Sequence, residues 1–130
     1  MRAGILLTPL LKAPQAPWRL VNARNDLVVA DHIVPAFEPA QRRKGLLGRD
    51  HLEEGHAMIV APSSAVHTWF MRFSIDIAFV TGAGAVLKAR SQVAPWRFSA
   101  CWGALAAVEL PAGTLDRSGV VAGDTLSVRL

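Results

Sequence analysis

Two segments of this chain concentrate the side chains able to do chemistry: HTWFMRFSIDIAFV, which holds His67, Arg72 and Asp76, and AAVELPAG, which holds Glu109. An imidazole that changes charge near neutrality can move protons. The planar guanidinium of Arg72 matches two oxygens of a carboxylate or phosphate. A carboxylate beside it either orients it or works as a general base. Two functional readings follow. In the first, Arg72, Asp76, His67 and Glu109 meet in a polar pocket that binds a small anion or the acidic end of a peptide. In the second, the chain is a hydrolase-like enzyme whose base is Asp76 or Glu109, assisted by His67.

A purely structural reading competes with both. Buried charges occur mainly when paired, so Asp76 could accept backbone hydrogen bonds while Arg72 is satisfied locally and Glu109 points outward. Geometry constrains the choice. Along one straight strand, residues four apart are separated by about 13 Å. Arg72 and Asp76 therefore pair only if the chain bends between them, and Trp69 to Ser74 is the plausible bend.

The remaining candidates point to no cofactor and no metal. His51 and His56 flank LEEG without the spacing of a helical ligand pair or a closed zinc site. Ser63 and Ser64 lack a GxSxG context, and TGAG lacks the lysine and helix of a phosphate loop. The run RRK (Arg42 to Lys44) fits the wet face of a helix. Nucleic acid is disfavoured as a partner, because it calls for basic residues interleaved with exposed aromatics along one surface, and Trp96-Arg97-Phe98 is the one hint of that. A third function, in a different class, is a protein-interaction module working through Trp96, Phe98 and Trp102.

The elements that must position these groups are mostly strands. Trp18 to Val21 and Leu27 to Val34 are β-rich runs separated by the turn formers NARND, which predicts a hairpin. Pro39 at a first turn and apolar Phe37, Ala40, Leu46 and Leu47 predict a short helix from about Glu38 to Leu47, stopped by Gly48. IDIAFV and AVLKA joined by TGAG predict a second hairpin. SQVAPWRFSACWGAL is irregular and aromatic, AAVELPAG is a strand, LDRS a single helical turn closed by Gly119, and TLSVRL a final strand. The expected fold is mainly β with a minor α component: a compact antiparallel β barrel or strongly curved sheet with one or two short helices.

With 130 residues, 52% of them hydrophobic, the chain supports one compact domain over residues 18–130, preceded by a poorly structured tail over residues 1–17. Lys and Arg outnumber Asp and Glu by 14 to 10, which is compatible with an anionic partner but does not specify one. One cysteine, Cys101, excludes an intrachain disulfide. No run approaches the roughly 18 apolar residues of a membrane span. A cytoplasmic protein is expected, with export through residues 1–16 as the alternative, since their apolar run is short and interrupted by Pro9.

Taken in order, RRKGLLGRD, HTWFMRFSIDIAFV, PWR, VELPAG and GDTL resemble the bacterial and archaeal family known as domain of unknown function 192, over roughly Asp31 to Leu130. The resemblance implies a β-rich domain with small helices and supplies no activity. It carries Arg43, Gly45, His67, Arg72, Asp76, Glu109, Gly113, Gly123 and Asp124 over as the recurring residues, the glycines as positions where the chain turns with positive φ. This chain departs from the family in having Ala57 and Phe70 where glycine is usual, Ser63 where cysteine is usual, and Ser74 where proline is usual. Ser63 in place of a thiol puts nucleophilic chemistry there in doubt.

Overall fold

The structure, a computed structural model, describes residues 4–130. Helix α1 (Gly4–Lys12) is followed by β1 (Arg19–Asn22), β2 (Leu27–Ala30) and β3 (His32–Ala36). Next come α2 (Pro39–Lys44), β4 (His56–Val60), β5 (Ala65–His67), β6 (Ile75–Val80) and β7 (Val86–Val93). The chain finishes with β8 (Phe98–Ala100), β9 (Ala106–Pro111), α3 (Thr114–Ser118) and β10 (Leu126–Arg129).

These strands form three sheets. A five-stranded sheet runs β3-β4-β9-β6-β7, parallel between β3 and β4 and antiparallel elsewhere. A three-stranded antiparallel sheet runs β10-β1-β2, and β5 and β8 form a separate ribbon. The barrel allowed for in the sequence does not form: the sheets are mainly β with three short helices, not a closed cylinder. The reason is legible in β6 and β9. Every residue of IDIAFV and AAVELP is buried, so the middle of the five-stranded sheet is covered on both sides, while the edge strands β3 and β7 stay partly exposed.

One face carries Ile59, Ala78, Val80, Val108 and Leu110 and packs against α1, α3 and the three-stranded sheet. The other carries Met58, Ile77, Phe79 and Ala107 and packs against the segment after α2 and the segment around β5. Part of the segment expected as a poorly structured tail, residues 1–17, forms a helix. Residues 4–12 are helical despite Pro9, because Leu6, Leu7 and Leu10 fall on one side of the helix and are fully buried.

Smaller departures have local causes. Leu27–Val34 is not one strand: the Asp31 and His32 N–H groups both donate to the Gly55 carbonyl (2.9 and 3.1 Å), and the chain crosses there from the small sheet to the large one. Helix α2 ends three residues before the expected Leu47. Gly45 adopts φ 46° and its N–H caps the Gln41 carbonyl at 2.8 Å. The Gln41 side-chain oxygen in turn accepts from the Phe37 and Glu38 N–H groups. The NARND and TGAG hairpins form as expected. Asp124 accepts from Asn22 Nδ2, Arg24 Nε and the Val121 N–H, tying the β1–β2 turn to the entry of β10. Among the described residues no helix is long and apolar enough to cross a membrane.

Candidate functional site

HTWFMRFSIDIAFV is two strands with a bend between them. β5 ends at His67, Phe70 takes φ 64°, and β6 begins at Ile75. The bend falls where the bulky residues of both parities predicted it, yet it does not bring Arg72 to Asp76. Arg72 lies at the surface, where its Nη1 donates to Asp50 Oδ1 at 2.7 Å. Asp76 is fully buried. Its Oδ1 accepts the Gln92 N–H at 2.8 Å, and its Oδ2 accepts the Gly113 and Leu115 N–H groups at 3.1 and 2.9 Å. Three backbone donors leave neither oxygen of the carboxylate unpaired. Asp76 fixes the irregularity of β7 at Gln92 and supplies the N-terminal acceptor that five-residue α3 lacks in its own sequence, since Gly113 is its N-cap.

Glu109 is placed differently. It lies on β9, the central strand, with Met58 of β4 and Ile77 of β6 opposite it. Both neighbours are buried and apolar. Its Oε2 is buried without a hydrogen-bond partner. Burial alone pushes the carboxyl up to about 7. Glu109 reaches the floor of a cleft of about 280 Å³ whose walls are α2 with the turn after it on one side and residues 62–67 on the other.

Arg42, Arg43, Lys44, Ser63, His67 and Met71 also line this cleft. Arg42 is engaged, donating from Nη1 to the Phe37 carbonyl at 2.8 Å. The Ser63 hydroxyl donates to the Ala65 carbonyl at 2.9 Å. His67 is exposed at the rim, with its ring stacked on Trp69 at 4.8 Å. Of the four residues singled out in the sequence, the structure thus unites His67 and Glu109 in one cleft. Arg72 and Asp76 lie outside it, and Asp76 is on the opposite face of the sheet from Glu109. The cations of the site come instead from RRK on α2. The family resemblance includes Arg43, whereas residue types alone make RRK a solvated helix face. No spacing in the sequence links α2 to β9, because the contact is made by the fold.

The other candidates lie apart. His51 and His56 each approach Glu53 at 4.0 Å, and His56 stacks on His32 at 4.2 Å. Among the described residues no three His, Cys, Asp or Glu side chains group so as to hold a metal ion. Trp96, Phe98 and Trp102 are all exposed, Trp102 completely.

Comparisons with known proteins follow the fold. Two crystal structures share it. One is a Sinorhizobium meliloti protein named as a candidate transcription regulator, with TM-score 0.74 and 24% identity, over 85% of this chain and 91% of that one. The other is a Novosphingobium aromaticivorans protein of unknown function, with TM-score 0.73 and 23% identity, over 86% of this chain and 84% of that one. No curated protein gives a significant match. The sequence profile of DUF192, described as an uncharacterized ACR, matches residues 21–128. The match spans RRKGLLGRD, the HTWFMRFSIDIAFV block and VELPAG, and this chain belongs to DUF192.

Proposed function

We propose that the chain is a binding domain whose cleft between α2 and β5 takes a small anion or the acidic end of a peptide. The observation that carries this is the Glu109 Oε2 atom, buried without a partner at the cleft floor beneath cationic Arg43 and Lys44. A buried polar atom left unpaired is destabilising by itself, and a ligand that supplies its hydrogen bond removes that penalty. In its neutral form Glu109 carries an O–H donor. A ligand carboxylate or phosphate can accept that hydrogen bond while its charge is met by Arg43, Lys44 and His67 at the rim. Arg72 and Asp76 then have supporting roles away from the ligand.

Calorimetric titration with inorganic phosphate, acetate and a short acidic peptide tests this. Binding should strengthen as pH falls through about 7, as the carboxyl takes up its proton. His67 is a second titratable group on the rim, so the series is repeated in His67→Gln. Glu109→Gln, which keeps a hydrogen-bond donor at all pH values, should abolish the remaining dependence. Absence of binding by all three probes at pH 6, or binding that Arg43→Ala leaves unaltered, would refute the proposal.

A further inference from the structure

We propose that the outer face of the β5–β8 ribbon binds single-stranded nucleic acid, with bases stacked on exposed aromatic rings and phosphates held by the cations on either side. The inference does not rest on what occupies the cleft.

The ribbon is antiparallel, with Val66 opposite Ser99 and His67 opposite Phe98. Val66 and Ser99 are buried, so His67 and Phe98 share the outward face. Trp69 stacks on His67, and Phe70 meets Trp96 edge-to-face at 4.7 Å. Phe70 is 71% exposed, Trp96 58% and Phe98 61%. These rings contribute little to the core. Two of them also sit on strained backbone: Phe70 has φ 64° and Trp96 φ 65°, a conformation that bulky residues rarely adopt. Such strain collects at functional sites, and here no burial compensates for it.

Cations flank the aromatic strip on both sides. From β7, Lys88 Nζ donates to the Ala100 carbonyl at 2.8 Å, which sets it along β8. Arg43 and Lys44 of α2 stand across the cleft from β5. Arg97, next to both Trp96 and Phe98 in sequence, is exposed and donates from Nη1 to the Trp96 carbonyl at 3.3 Å. From Gly55 through Val108 the sequence has one acid, Asp76, and it is buried. The nearby exposed acid, Asp50, is held by Arg72.

Aromatic faces between two lines of positive charge complement the alternation of bases and phosphates in a single strand. A protein partner would more often meet this surface with both signs of charge. The requirement that set nucleic acid aside in the sequence, aromatics and cations interleaved on one surface, is met by residues that the fold gathers from β5, β7, β8 and α2.

Fluorescence anisotropy with labelled single-stranded DNA and RNA of about 15 nucleotides, together with quenching of tryptophan emission in the full chain, tests the proposal. Saturable binding that quenches the tryptophans and weakens log-linearly with salt is expected. Trp96→Ala and Phe98→Ala should each lower affinity about tenfold. Arg97→Ala should lower it and reduce the salt slope by about one. Phe70→Gly should weaken binding while leaving the melting temperature unchanged or higher, since glycine relaxes φ at that position. Arg117→Ala, on the far side beside Glu54, removes the same charge as a control and should not alter affinity. No anisotropy change would overturn the proposal. So would binding that duplex DNA or heparin matches and the aromatic substitutions leave intact, which would reduce the interaction to charge alone.

Discussion

Asp76 and Glu109 stand on hydrogen-bonded strands within one register step of each other and face opposite sides of the same sheet: Asp76 is opposite Leu110, and Glu109 is opposite Ile77. One carboxyl accepts three backbone N–H groups, and the other leaves an oxygen without any. Adjacent buried acids in the same sheet thus have opposite consequences for the molecule.

For Asp76 the consequence is stability. Asp76→Asn keeps the shape but turns an N–H₂ group toward backbone donors. It should destabilise the fold by about 3 kcal/mol, in the range for breaking a buried charged network. Urea denaturation measures the loss. Faster amide exchange at Gln92, Gly113 and Leu115 would locate it; a loss below about 1 kcal/mol would contradict a fold-holding role for Asp76.

For Glu109 the consequence is a pH dependence. Its folded-state value, about 7, lies above the ordinary 4.5. Between the two the unfolded chain has released its proton while the folded chain keeps it, so stability falls as pH rises. The contribution is fully present below pH 4.5 and about 3 kcal/mol has been lost above 7. Glu109→Gln should flatten that decline and be the more stable protein at pH 8. Parallel slopes for the two proteins between pH 5 and 8 would contradict it.

Asp124 works in the opposite sense. The hydrogen bond from Arg24 is the main cause holding its carboxyl down near 2, aided by the Val121 N–H and Asn22 and opposed by burial. A depressed value means stability that is complete above the ordinary 3.8 and is lost as pH falls toward 2. Acid unfolding of Asp124→Asn should lack this step, and its melting temperature at pH 7 should be lower than that of the wild type.

The N-terminal helix belongs to the core. Leu7 has no exposed surface and belongs to the core cluster shared by the two larger sheets, with α1 lying against β10. Leu7→Ala should therefore destabilise the protein by about 3 kcal/mol, as read by urea denaturation. A change under about 0.5 kcal/mol would fit a poorly structured tail instead.

Most of the local structure was legible in the sequence because local rules govern it. NARND, TGAG and the Pro39–Gly45 segment have turn and cap chemistry that acts over a few residues. The glycines implied by the resemblance, Gly45, Gly113 and Gly123, have φ of 46°, 96° and 97°. Layer arrangement was not legible. IDIAFV and AAVELP are apolar runs broken by one acid each, which a barrel interior and a doubly covered sheet both accept, and only the packing of α1 on one face and residues 46–52 on the other decides between them. Residues 1–17 hold three prolines and no sustained periodicity, which reads as a tail, but burial of three leucines of GILLTPLLK outweighs a weak propensity.

Of the site, the type of residue was legible and the grouping was not. His67 and Glu109 share a cleft, while Arg72 and Asp76 found partners elsewhere. The RRK cations lie more than sixty residues before Glu109 in sequence, so no motif could have joined them.

The pairing of β1 with β10 places Leu20 beside Val128. Closing a loop of about a hundred residues is entropically demanding and late, so the small sheet cannot be completed until nearly the whole chain is available. During synthesis the β1–β2 hairpin emerges early and waits with one edge unpaired. The chain is therefore expected to refold on the slow side for its length, and a nascent chain halted before Leu126 would expose a ready template for aggregation.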